Sequence, residues 1–233
     1  MFTVRLRYEK TGVARFISHL DLMRTWQRAF RRTGLPLSYS EGFNPHPYLS
    51  IAQPLPVGVD SVCELLDFGL STPVTFGTLP QRINQALPCG LSVLEARSAA
   101  RKFRDIAWAV YRIRLRWDVS KEDGAVDTAV VATQTLTKLL DGRPLPVLKR
   151  SKKGATEVDA APLIQGFTIK STLADSVEIE ATLAAGDISL SPALLLEALL
   201  SAADSPSGAA FAPWCGVSIL RLTLLDGSNT PFS

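Results

Sequence analysis

The chain has 233 residues, 46% hydrophobic and 20% charged, with a net charge of +3. This is the balance of a globular protein with a real core, long enough for two domains of about 100 residues each. It excludes a disulfide framework or a CxxC metal pair, since Cys63, Cys89 and Cys215 are odd in number and far apart, and a membrane helix, since no apolar run approaches the roughly 20 residues a span requires.

The N-terminus, MFTVRLRYEK, alternates apolar and charged residues and so is not a signal peptide; cytoplasmic residence is expected. The charge is clustered. Residues 1–60 carry eight Lys/Arg against four Asp/Glu, residues 96–117 seven against one, and residues 146–170 five against two. Clustered positive charge matters more than the total for binding polyanions.

In chain order, FTVRLRYEK (2–10) places Phe2, Val4, Leu6 and Tyr8 on one face and Arg5 and Arg7 on the other. Such alternation predicts a strand covered on one side. A helix follows over 18–33, then an extended stretch over 35–56 with a Gly/Pro-rich middle. Next come a strand at 63–71, a helix ending near 87 and a strand at 90–98. YRIRLRW (111–117) then repeats the first strand, with Arg112, Arg114 and Arg116 on its polar face. A helix over 126–140, an extended stretch over 144–150, strands at 163–171 and 176–184, a helix at 192–202 and a strand at 215–225 complete a second copy. The pattern predicts an α+β protein of tandem ferredoxin-like (βαββαβ) repeats, with domains at 1–100 and 107–233. Helices would cover one sheet face and leave the other open. The strand arginines would then either meet RNA, as in recognition modules with open sheets, or solvate the surface, or the two open faces would pack on each other.

The first helix, SHLDLMRTWQRAFRRTG, opens with a capping-box pattern at Ser18 and Asp21 and closes at Gly34. Leu22, Met23, Trp26, Ala29 and Phe30 form its apolar arc. Arg24, Arg28, Arg31 and Arg32 form the opposite arc, a phosphate-binding candidate because Arg forks match phosphate oxygens; a solvated basic face is the alternative. His19 lies in the first turn on the apolar side, where it is expected to point toward the sheet end. The helix dipole there disfavours its protonated form, so it would act as a neutral donor or base, or simply be a buried, hydrogen-bonded histidine.

In SEGFNPHPYLS (40–50), prolines flank His46 and set an extended arm, with Gly42 permitting a turn before it. Asn44 and His46 would read a ligand there and Phe43 or Tyr48 would stack on a base; the alternative is a bulge shaping an edge strand. In LKRSKKGATEVD, Lys149, Arg150, Lys152 and Lys153 crowd a hairpin tip. They either hold phosphates or are solvated charges protecting an edge.

The run RFISHLDLMRTWQRAFRRTGLPLSYSEGFNPHPYLSIAQPLPVGVDS (15–61) resembles the signature of the radical SAM-linked proteins, a prokaryotic family without an established activity, and SKKGATEVDAAPLI (151–164) is similar to its basic turn. The resemblance implies a radical SAM enzyme as partner and, through the neighbourhood of some members, a link to RNA. The chain lacks the CxxxCxxC that holds an iron–sulfur cluster, so radical chemistry would belong to the partner. Tandem ferredoxin-like halves with a histidine at the first helix also resemble the CRISPR repeat-processing endoribonucleases. Where those carry a Gly-rich loop, this chain reads APWCGVSIL (212–220).

Three functions follow. The first is a non-enzymatic RNA-binding or substrate-presenting partner of a radical SAM enzyme. Arg24, Arg28, Arg31, Arg32, Lys149, Lys152 and Lys153 would hold phosphates, and His19, Asn44 and His46 would supply recognition. The second is a metal-independent endoribonuclease using His19 or His46 as acid or base. The third is a protein–protein scaffold. No metal or cofactor is expected, since no nucleotide-binding Gly-rich motif, HExxH or GxSxG is present.

Overall fold

The computed structural model describes residues 1–118, 133, 136–137, 144–151, 154–203 and 214–233. Strands predominate over helices in a mixed α+β protein. The chain groups into two compact units, Met1–Ile106 with Arg221–Ser233, and Ala107–Leu220.

In the first unit, β1 (Phe2–Lys10) leads to α1 (His19–Arg32). The short β2 (Leu49–Ile51), β3 (Asp60–Leu70), α2 (Leu79–Asn84) and β4 (Leu91–Ser98) follow. β1 lies between β4 and β3, and β2 pairs with β3, giving the order β4-β1-β3-β2 with every pair antiparallel. The alternation of β1 works as expected on its apolar side. Val4, Leu6 and Tyr8 are buried with Leu66, Phe68 and Leu70 of β3, beneath Leu22, Trp26 and Phe30 of α1 and Leu79 and Ile83 of α2.

Aromatic rings link these layers. Tyr8 meets Trp26 edge-on at 4.9 Å, Trp26 lies 5.5 Å from Phe30, and Phe30 stacks on Phe68 at 4.5 Å. Each such ring contributes about 1.5–3 kcal/mol through burial. α1 starts where the capping box predicts, with the Asp21 N–H donating to Ser18 Oγ at 3.2 Å. It ends before Gly34, whose φ of +64° is a left-handed conformation that glycine adopts without strain.

The second sheet face of this unit is not open. Arg5, expected on an open face, is 1% exposed. Phe103 lies 4.4 Å from its guanidinium and Phe232 5.3 Å, so residues beyond β4 and at the end of the chain cover this part of the sheet. That packing explains why Arg221–Ser233, expected with the second domain, groups with the first unit.

In the second unit, β5 (Ile106–Arg116) pairs antiparallel with β9 (Ser176–Ala184), which pairs antiparallel with β8 (Ile164–Leu173). β10 (Gly216–Asp226) borders β5. The helix α3 (Pro192–Ala203) buries Leu195, Leu196, Ala198 and Leu199. Tyr111, Ile113, Leu115 and Trp117 are buried and Arg112, Arg114 and Arg116 exposed, as the alternation requires. Of the helix expected over 126–140, only Thr133, Leu136 and Thr137 are described, and they are helical. The stretch at 144–150 was expected to pair with the strand at 163–171. It instead folds back as β6 (Pro146–Ser151) on β7 (Gly154–Asp159), a separate two-stranded sheet. Ser151 pairs with Gly154 there, so the strand that follows the basic run returns on β6 and not on the strand at 163–171.

Candidate nucleic-acid interface

The arginine arc of α1 is exposed as its spacing predicts: Arg24, Arg28, Arg31 and Arg32 all face solvent. They are not equivalent. Arg24 donates to Asp21 Oδ1 at 3.1 Å, so a neighbouring carboxylate already occupies it. Hydrogen bonding from the Ser18 hydroxyl, then from Arg24, holds the Asp21 carboxyl below its usual range. Arg32 reaches across to α2 and donates to the Ala86 carbonyl at 2.7 Å. Arg28 and Arg32, with Thr25 on one side and Gln85, Ala86, Leu87 and Pro88 on the other, line an open cleft of about 390 Å³. Among the described residues, Arg28 and Arg31 form no ion pair. Two guanidinium groups at a cleft can hold a phosphate, because bidentate forks need acceptor oxygens rather than a deep pocket; the Thr25 hydroxyl beside them donates to the Asp21 carbonyl at 2.7 Å.

His19 does not point toward the sheet end. It is exposed in the first turn of α1. Ser18 turns its hydroxyl to Asp21, at 2.7 Å from Oδ2, so the local acid is committed to the helix cap and does not orient the imidazole.

The arm around His46 is a closed loop. Bridges at Leu37–Leu70 and Tyr39–Pro47 tie its base to the sheet edge. The Ser40 N–H donates to the His46 carbonyl at 2.9 Å, and the His46 N–H donates to Ser40 Oγ at 3.2 Å. His46 Nδ1 lies 3.0 Å from Ser40 Oγ and 3.3 Å from the Asn44 carbonyl. His46 therefore braces the loop through one ring nitrogen while the residue itself stays exposed. Gly42 turns the chain at φ +115°. Phe43 at the tip is fully exposed, at 111%, and Asn44 is exposed beside it.

In the second unit, Lys149 is exposed and donates to the Ser189 carbonyl at 3.3 Å. Lys152 and Lys153 lie outside the described residues. Arg28 and Arg32 thus share one cleft, and Asn44 and His46 share one loop.

The strand arginines do not make a cationic platform. Arg5 pairs with Asp67, and Arg7 lies 3.4 Å from Glu95. Arg112 and Arg114 both reach Glu178, at 3.4 and 2.7 Å, and Lys170 reaches Glu180 at 3.2 Å. Glu178 lies opposite Arg114 and is reached by Arg112 from the same strand, whereas Arg116 lies opposite Ser176.

Two buried polar clusters were missed. Glu64 and Arg221 are both essentially inaccessible and ion-paired, with Arg221 Nε 3.0 Å from Glu64 Oε1. Tyr8, paired with Glu64 across the strands, is raised well above the ordinary phenol range, first by burial and then by the Glu64 charge. Lys10, also buried, donates to the Arg15 carbonyl at 3.0 Å and is lowered by its burial. The second cluster joins Arg5, Asp67, Arg101 and Asp226. A charged residue inside CELLDFGLS was a visible signal for the first, but nothing local named its partner. No group of three or more potential metal ligands is assembled among the described residues, and no helix among them is long and apolar enough to cross a membrane.

A family model described as an uncharacterized protein conserved in bacteria (DUF2344) matches residues 3–191. No curated protein matches the chain. Among solved structures, the chain is similar to that of Thermus thermophilus Cse3 bound to an RNA representing a pre-cleavage complex. The identity is 15% over 94% of this chain and 99% of that one, and the TM-score of 0.19 is too low to bear on fold or function.

Proposed function

The chain belongs to this family of uncharacterized bacterial proteins, DUF2344, and we propose that it is an accessory RNA-binding protein, without catalysis of its own, that presents RNA to a radical SAM enzyme in the cytoplasm. We further propose that each unit is a ferredoxin-like domain. The order β4-β1-β3-β2 in one, and β5-β9-β8 in the other with the start of β10, up to Leu220, beside β5, support that reading, since it is the order of a split βαβ pair.

The observation that carries the RNA reading is the cleft of Arg28 and Arg32 beside α2, with Arg31 exposed on the same helix. Among the described residues Arg28 and Arg31 form no ion pair, whereas Arg5, Arg7, Arg112 and Arg114 of the strands each meet an acid. Phosphates are the ligand that a row of unmatched guanidinium groups accepts best. The partnership rests on the resemblance of residues 15–61 to the radical SAM-linked proteins.

Filter binding of single-stranded RNA at two salt concentrations tests the first claim. Retention should fall steeply with salt. Arg28→Glu combined with Arg31→Glu should lower the slope by about 1–2, at roughly 0.7 per phosphate contact. Salt-insensitive or absent retention refutes it. The RNA should stay intact on long incubation, and cleavage would transfer the reading to the endoribonuclease with His19 or His46 as its acid or base. Co-purification with a radical SAM enzyme tests the partnership, and a protein partner retained without RNA binding would leave the scaffold reading.

A further inference from the structure

The most unusual surface in the first unit is the tip of the 39–48 loop. A phenylalanine at 111% exposure forgoes all burial, and a soluble protein normally hides so large a ring. Nor is the loop a slack connection. Ser40 and His46 exchange backbone and side-chain hydrogen bonds across its neck, and Pro45 and Pro47 fix the backbone on either side of His46. The chain thus holds an apolar ring in water on a stiffened support.

We propose that this loop is a base-stacking finger: Phe43 stacks on an unpaired RNA base while His46 hydrogen-bonds the edge of that base or its neighbour. The proposal rests on the RNA reading above and adds the class of nucleotide recognised, one that is unpaired and carries its base.

The loop's chemistry favours a base over a protein pocket. Phe43 is flanked by exposed Glu41, Gly42 and Asn44, and the same loop also exposes the aromatic rings of Tyr39 and Tyr48, each of which carries a hydroxyl. These offer hydrogen-bonding groups around a π face, the combination that single-stranded nucleic acid recognition uses. His46 Nδ1 is occupied within the loop, by Ser40 Oγ at 3.0 Å and the Asn44 carbonyl at 3.3 Å. That leaves Nε2 of the exposed ring to hydrogen-bond the edge of a base, as donor or acceptor according to the tautomer. Pre-setting the loop also lowers the entropy lost on binding.

The test compares an adenine-bearing RNA oligomer with one of the same length carrying abasic residues, using the intact protein. The wild type should bind the adenine oligomer about ten- to a hundredfold more tightly, the range for stacking one base on an aromatic ring. Phe43→Ala should erase that preference while leaving abasic binding and its salt slope unchanged; Phe43→Trp should keep it. Because the ring is wholly exposed, neither change threatens the fold. Equal binding of both oligomers by the wild type overturns the finger and leaves the phosphate reading standing. So does a preference that survives Phe43→Ala, including a case where Phe43→Ala instead abolishes co-purification with a protein. Failure of both oligomers to bind overturns the RNA reading and the finger together.

Discussion

Arg5 and Asp67 face each other across β1 and β3 and meet in a two-point ion pair, with Nε and Nη2 of the arginine each 2.8 Å from one carboxylate oxygen. Arg5 also donates to the Arg101 carbonyl at 2.6 Å. The arginine is spent on holding the sheet to residues that cover it. Asp67→Ala would leave that guanidinium buried without its counter-charge. A loss of about 3–5 kcal/mol is expected, read by urea denaturation. A loss under 1 kcal/mol would mean that the pair is solvated.

Glu64 and Arg221 form the second buried pair, and Arg221 also donates from Nη1 to the Gln53 carbonyl at 2.9 Å. Gln53 sits at φ +41°, so the arginine helps to hold a backbone conformation that non-glycine residues seldom adopt. Arg221→Met alone should destabilise by about 3–5 kcal/mol, because Glu64 stays buried and uncompensated. Adding Glu64→Leu should recover most of that loss, since two well-packed apolar side chains replace two desolvated ions. A double variant no more stable than the single one would show that the acid has other essential partners. The same denaturation curves report both.

Asp226 gives the protein an acid-sensitive joint. The Ser228 hydroxyl at 2.7 Å, the Thr230 N–H at 3.0 Å and Arg101 at 2.8 Å hold its carboxyl far below the usual range. A depressed carboxylate stabilises the fold at pH values above its unfolded pKa, about 3.9, and that contribution is lost as pH falls below it. Asp226→Asn should therefore lower the melting temperature at pH 7 and flatten its fall between about pH 5 and pH 2. Parallel pH profiles for the variant and the wild type would refute this.

Cys63 should behave unlike the other two thiols. Burial pushes it up to about 11, with the Arg221 charge opposing, whereas Cys89 and Cys215 are exposed. In the native protein a disulfide reagent should titrate two thiols quickly and the third only on unfolding. Because the folded thiol titrates higher than the unfolded one, its contribution to stability is full below about pH 8.5 and fades as pH rises toward its folded value. Rapid modification of all three would contradict the burial.

The sequence by itself determined the elements: β1 and β5 from their alternation, α1 with its cap and its two arcs, and the strands expected at 163–171 and 176–184, which the structure shows as β8 and β9. These are local properties, set by periodicity and by neighbours a few residues apart. Only the tertiary structure decided what the charges do. Arg5 and Asp67 are 62 residues apart and Arg221 and Glu64 157 apart, and no local pattern names such partners. The same limit applies to His19. The helical wheel placed it on the apolar side, but only Leu22 of the first turn is buried, and the histidine is exposed. The His46 loop lies between these cases. Its prolines made it stiff on sight, but only the fold showed that Ser40 and His46 lock it and leave Phe43 in solvent.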